Sequence, residues 1–139
     1  MYKRIVVAND GSEGAERALA AALVLAKRFK AELHMISVEE LPRFPASVDE
    51  IVEEKNEANR HFDAIVARAR ALAKAQRVTL TTHVLAGHAV PTIVEFIGRL
   101  GCDLLVIGFM GHSALYNRLI GSTTDRLVEL APCTVVVVK

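Results

Sequence analysis

The sequence predicts an α/β fold: a single doubly wound, five-stranded parallel sheet with helices on both faces. Three features carry this expectation. Short apolar runs rich in β-branched residues alternate with longer stretches of helical periodicity. The runs at 5–8 and 104–107 have no polar face, as suits strands covered by helices on both sides. The chain also closes on a strand, so each earlier strand can lead into a right-handed crossover.

Residues 5–8 form the first buried run, which stops at Asn9-Asp10-Gly11-Ser12. Ser12 is placed to cap a helix, with Glu13 and Glu16 in the first turn, where the helix dipole favours negative charge. Behind it Ala15, Ala18, Leu19, Ala22, Leu23, Ala26 and Phe29 recur at helical spacing. Residues 33–38 read as the second strand, and Pro42 and Pro45 mark a loop after it. A long stripe over 48–75, with a charged opposite face, predicts a surface helix packed by one side. Residues 78–85 give the third strand, broken by Gly87. Val90, Ile93, Val94, Ile97 and Leu100 give the next helix, with Pro91 in its first turn and Gly101 at its end. Residues 104–107 form the fourth strand, ending at Gly108. Ser122 is expected to cap a short helix carrying Leu127, Val128 and Leu130, and residues 134–138 form the last strand.

Composition bounds the rest. A chain of 139 residues fits one domain, 1–139, and 52% hydrophobic residues suffice for a core built mainly from Val, Leu, Ile and Ala. A formal charge of +1 gives no electrostatic footprint for nucleic acid or an anionic membrane. Cys102 and Cys133 lack ligand or redox spacing and are expected to be small buried residues at strand starts. The apolar run near the N-terminus is too short for a signal peptide or a membrane span, so a reducing, cytoplasmic setting is expected.

Ligands of doubly wound sheets bind beyond the C-terminal strand ends, where the strand order reverses. That rule selects Asn9 to Ser12, Val38 to Glu40, and the stretch after Ile107. In the last, Gly108 and Gly111 follow a strand, and Gly121-Ser122-Thr123-Thr124 opens a helix. Glycine lets backbone N–H groups approach an anion, and a helix start adds unsatisfied donors. In chemical terms this is a phosphate cradle; read blandly, the glycines make a tight turn and Asp10 ends a strand. His34, His61, His83 and His88 show no metal-ligand spacing and read as structural or surface residues. Gly11-x-x-Gly14 is half of a dinucleotide fingerprint and carries little by itself.

Gly108, Gly111, Gly121 and Ser122 match the G-x2-G-x9-G-[S/T] pattern of ATP-binding universal stress proteins, and the whole chain resembles that family. The opening strand ending in Asp-Gly-Ser and Ala131-Pro132-Cys133 before a valine-rich strand add to the likeness. The resemblance implies an adenine nucleotide alpha hydrolase-like fold with strand order 3-2-1-4-5. It implies ATP, or ADP or AMP, as ligand. Asp10 would lie near ribose and adenine, with a water-held magnesium. The backbone of Val38 would meet the adenine edge. Gly108, Gly111, Gly121, Ser122 and Thr123 would hold ribose and phosphates. Thr123 stands where the family usually has Val, and Thr134 follows Cys133 where Pro is frequent.

Without a GKS or GKT motif, and with no lysine between Gly108 and Thr124, the chain offers no phosphoryl-transfer machinery beyond Asp10 as a base. The expectation is a nucleotide-responsive stress regulator with at most very slow ATP hydrolysis, acting on an unknown protein partner. The alternative is a dimeric interaction scaffold of the same fold without nucleotide. A receiver-type phosphorylation switch is rejected, because Leu85, Ala86 and Gly87 occupy the place of its phosphoacceptor acid. The valine-rich strand 134–138, if it ends the sheet, predicts a homodimer through its apolar edge.

Overall fold

Periodicity 2 and periodicity 3.6 divide the chain into nine elements, and a computed structural model describes them over residues 1–40, 47–110 and 120–139. They are β1 Arg4–Ala8, α1 Glu13–Phe29, β2 Glu32–Glu40, α2 Val48–Ala75, β3 Leu80–Gly87, α3 Ala89–Leu100, β4 Leu104–Gly108, α4 Ser122–Leu130 and β5 Thr134–Val138. All strand pairs are parallel and the order is β3-β2-β1-β4-β5, the expected doubly wound sheet. Among the described residues no helix is long and apolar enough to cross a membrane.

Alternation along the central strands sends side chains to two cores. Ile5, Val7, Leu33, Met35, Leu104 and Val106 pack beneath α1 and α2, against Leu19, Leu23, Phe62 and Ile65. Val6, Ile36, Leu105 and Ile107 pack beneath α3 and α4, against Ile93, Phe96, Ile97 and Leu127. Two covered faces explain why β4, and β1 beyond Arg4, lack polar positions. Each large side chain so buried contributes about 1.5–3 kcal/mol.

Local signals set the helix ends. Ser12 caps α1 by accepting from Ala15 N–H, and Lys30 closes it in the left-handed region at φ 54. Ser47 and Glu50 form a capping box at the start of α2, a signal that the reading of 48–75 did not use. Only the second half of α2 packs on the sheet, through Phe62, Ile65, Ala69 and Ala73. Val48, Ile51 and Val52 stand exposed.

Several boundaries differ from expectation, among them the end of β3, which runs through Gly87 instead of breaking before it. β3 begins at Leu80 rather than 78, because Val78 N–H bonds back to Ala73 O and finishes the turn after α2. β2 runs on to Glu40, with Glu39 and Glu40 paired to Ala86 and Gly87. Helix α4 takes Gly121, not Ser122, as its N-cap. Both cysteines are free, but only Cys102 is fully buried; Cys133 is half-buried, beside the uncovered edge strand β5.

One contact sets α1 against β4. A Cβ built on Gly108 would lie 2.7 Å from the backbone C and O of Gly14, and a Cβ on Gly14 would collide with the Met110 carbonyl oxygen. The two main chains therefore touch with no side chain between them. Gly98 in α3 is the contrast, because a Cβ there meets nothing within 4 Å. Gly14→Ala is expected to destabilise the protein by about 1–3 kcal/mol through backbone displacement. Gly98→Ala should instead stabilise it by about 0.5–1 kcal/mol. Urea unfolding of both variants checks the opposite signs. Burial also pushes the Cys102 thiol up to about 11, so a maleimide should modify it at pH 7 only on the timescale of unfolding. Mass spectrometry of labelled peptides with and without urea reads this directly.

Candidate functional site

The turn from β1 into α1 is built from its own side chains. Asn9, 2% exposed, accepts from Gly11 N–H through Oδ1 at 2.9 Å, and Asp10 Oδ1 accepts from Ser12 N–H at 3.0 Å. Gly11 can follow this path because its φ is 84, a value that side chains disfavour. From β2, Ser37 Oγ donates to the Asn9 carbonyl at 2.7 Å and ties the turn to the neighbouring strand.

The end of β4 is held from the other side. Thr124 Oγ1 donates to Gly108 O at 2.6 Å, and Gly121 N–H donates to Phe109 O at 3.0 Å. These bonds draw the start of α4 onto the strand end. Gly121 has no side chain to cap the helix, and the Thr124 hydroxyl is already committed to Gly108. The first-turn N–H groups of α4 therefore receive no side-chain acceptor among the described residues. In the other three helices Ser12, Glu40 and Ser47 fill that role.

Between these two turns lies a cavity of about 470 Å³. Its floor is apolar, from Ile36, Ile93, Ile107 and Leu127. Asp10, Val38, Gly108, Gly121 and Thr123, all singled out from the sequence, line it together with Asn9, Ser12 and Thr124. Ser122 does not line it; as the first helical residue it stands exposed to solvent, which corrects its reading as the cap. Gly111 lies outside the described residues.

The two rings that α2 contributes were not singled out for the site, whereas Glu40 lies in the selected segment Val38 to Glu40. His61 and Phe62 reach the cavity from α2, with their rings edge to face at 5.2 Å. Their α2 stripe shows that they are on a helix, but not that the helix leans over β1. Glu40 at the end of β2 accepts from Ala89 N–H at 3.1 Å and lies 3.3 Å from His88 Nδ1. It thus caps α3 from another element, a long-range bond with no local sequence signature. Among the described lining residues the charged groups are the carboxylates Asp10 and Glu40, and His61 is the one able to gain positive charge. No group of three or more His, Cys, Asp or Glu is arranged as a metal site among the described residues.

Comparison with known proteins agrees with this architecture over the whole chain. The universal stress protein family model matches residues 1–139. Universal stress protein MJ0531 of Methanocaldococcus jannaschii is 31% identical over 147 aligned residues, which cover 100% of this chain and 83% of the relative. The solved structure of universal stress protein UspA from Lactobacillus plantarum superposes with a TM-score of 0.87 at 29% identity, covering 99% of this chain and 98% of that one. A universal stress protein solved in complex with cAMP superposes at 0.78 with 26% identity, covering 99% and 97%. The chain belongs to the universal stress protein family.

Proposed function

We propose that the protein binds an adenine nucleotide, ATP or its relatives ADP and AMP, and acts as a nucleotide-responsive stress regulator rather than as an enzyme. The observation that carries this reading is the uncapped start of α4 at the glycine end of β4, on a cavity of about 470 Å³. A helix start with open N–H donors is an anion site, and the apolar floor suits a base. The volume lies in the range of roughly 300–1,000 Å³ usual for small-molecule sites. A family relative solved with cAMP supports the class of ligand.

In this reading the phosphates face Gly108, Gly121 and Thr123, with Gly111 and Ser122 as the family pattern has them. Asp10 lies beside the ribose, and the Val38 backbone meets the adenine edge. A magnesium ion bridged to phosphates fits a single carboxylate such as Asp10, since magnesium keeps most of its waters in such sites. Two free thiols suit a reducing, cytoplasmic setting. The signal passes to a protein partner through surfaces next to the bound ligand. A scaffold without nucleotide is the competing reading.

Gly121→Asp gives a selective test. At φ −60 and ψ 146 the backbone is one that an aspartate cap adopts, and its carboxylate would occupy the α4 donors and add negative charge. Isothermal titration with ATP, AMP and cAMP should show binding to the wild type. The variant should lose at least about tenfold, roughly 1.4 kcal/mol, with adenosine much less affected. Equal affinities in the two proteins would sink the phosphate assignment, and no heat with any nucleotide at millimolar ligand would favour the scaffold.

We also propose a homodimer joined along β5. Its valines 135–138 are half-buried in the single chain, and its outer edge is unpaired in the sheet. Light scattering at micromolar concentration should return twice the chain mass, and a monomer mass would exclude this pairing.

A further inference from the structure

β2 and β3 are joined by more than their ladder. His34 Nδ1 and His83 Nε2 lie 3.0 Å apart, with ring centroids 5.3 Å apart and planes inclined by 26°. The centroid separation equals the contact plus two ring radii, so both nitrogens sit on the line joining the ring centres. The rings meet edge to edge, and one hydrogen fits between them. A metal held by both rings would need their lone pairs to converge at an angle, not to oppose each other in line.

The surroundings hold the pair in place. His34 is 9% exposed, and its Nε2 lies 3.5 Å from Glu32 Oε2. Glu32 is in turn held by Arg4 of β1 at 2.7 Å. Phe96 of α3 stands edge-on to both rings, with centroids at 6.3 Å and 4.7 Å. The charged groups acting on the pair are Glu32 from β2, Arg4 from β1 by way of Glu32, and Arg99 from α3. The neighbours of His83 on its own face of β3, Thr81 and Leu85, carry no charge.

We propose that His34 and His83 form an acid-released clasp that fastens the edge strand β3 while the pair holds no more than one added proton. In the neutral pair one ring donates its N–H to the other. With one added proton on the pair, one ring still donates N–H to the lone pair of the other across the 3.0 Å contact, and the clasp stays shut. A second proton would place two N–H groups against each other at this contact. The bond is lost and like charges meet, so the rings must part.

Burial beneath Phe96, then the charges of His34 and Arg99, lower the tendency of His83 to take a proton. The sign follows from linkage. With the folded value below the unfolded one, the contribution to stability is complete above about pH 6.5 and is lost as the pH falls toward the folded value. β3 also pairs Leu85 and Gly87 with Val38 and Glu40, so slack in this strand reaches the cavity wall.

The test is an NMR titration of the histidine ring protons from pH 7.5 to 4.5, with amide protection factors over Thr81 to Val84. Two coupled steps are expected, the lower one beneath the ordinary histidine range, with β3 protection falling along that lower step. His83→Gln and His34→Gln should each abolish the lower step and flatten the loss of protection. Independent titration of both rings near 6.5 with unchanged β3 protection would overturn the clasp. So would a His83→Gln protein that loses protection over the same pH range. If a variant fails to fold, the wild-type titration decides alone.

Discussion

The approach of Gly14 to Gly108 is the constraint on which the rest depends. Two main chains touch there because neither residue has a side chain to hold them apart. The start of α1 is thereby fixed against the end of β4, at the point where the strand order reverses between β1 and β4. The β1–α1 turn on one side and the end of β4 with the start of α4 on the other become opposite walls of one cavity. Thr124 completes the arrangement by drawing the start of α4 onto the Gly108 carbonyl. Because small residues and turns supply much of the wall, backbone groups are close enough to serve as ligands.

The distribution of caps gives that cavity its electrostatic character. Asp10 and Glu40 bring negative charge to the wall while also serving the fold: Asp10 accepts from Ser12 N–H, and Glu40 accepts at the start of α3. Helix starts α1, α2 and α3 all receive an oxygen acceptor from a side chain. The α4 start has glycine instead, and its nearest hydroxyl is turned to the strand. Among the described residues, α4 is thus the helix whose start lacks a side-chain acceptor, and the proposed anion site rests on that difference. It needs no excess of basic residues, consistent with a net charge of only +1.

Much of this was legible in the sequence, and the rest was hidden for definite reasons. Strand and helix periodicities read from 5–8, 15–29 and 104–107 are local and survive in the fold, as does the expectation of a parallel sheet. Asp10, Val38, Gly108, Gly121 and Thr123 come together because they all sit at the C-terminal ends of strands or at a helix start, which is a rule of topology. Ser122 was misread because Gly and Ser are both acceptable caps, and spacing cannot choose between adjacent candidates. Glu40 fell within a selected segment, but its cap on α3, the place of His61 and the partner of Gly14 depend on contacts between distant segments. His34 and His83 carried no ligand spacing, since parallel pairing of β2 with β3 brings them together across 49 positions of sequence.

The two edges of the sheet show how differently one chain can treat exposed strands. β3 carries threonines and a histidine, is tied to α2 by Arg70 donating to Thr82 Oγ1 at 2.9 Å, and is fixed to β2 by His83. Polar side chains and cross-ties of this kind discourage a second strand from adding to an edge. β5 has one threonine, Thr134 at its start, and no such side-chain tie among the described residues. Its four consecutive valines put apolar side chains on both faces, and the cover over it is incomplete. A sheet that guarded neither edge would polymerise, and one that guarded both would stay single. One guarded and one bare edge permits an assembly that closes after two copies, since a twofold axis through the bare edge leaves nothing further to pair.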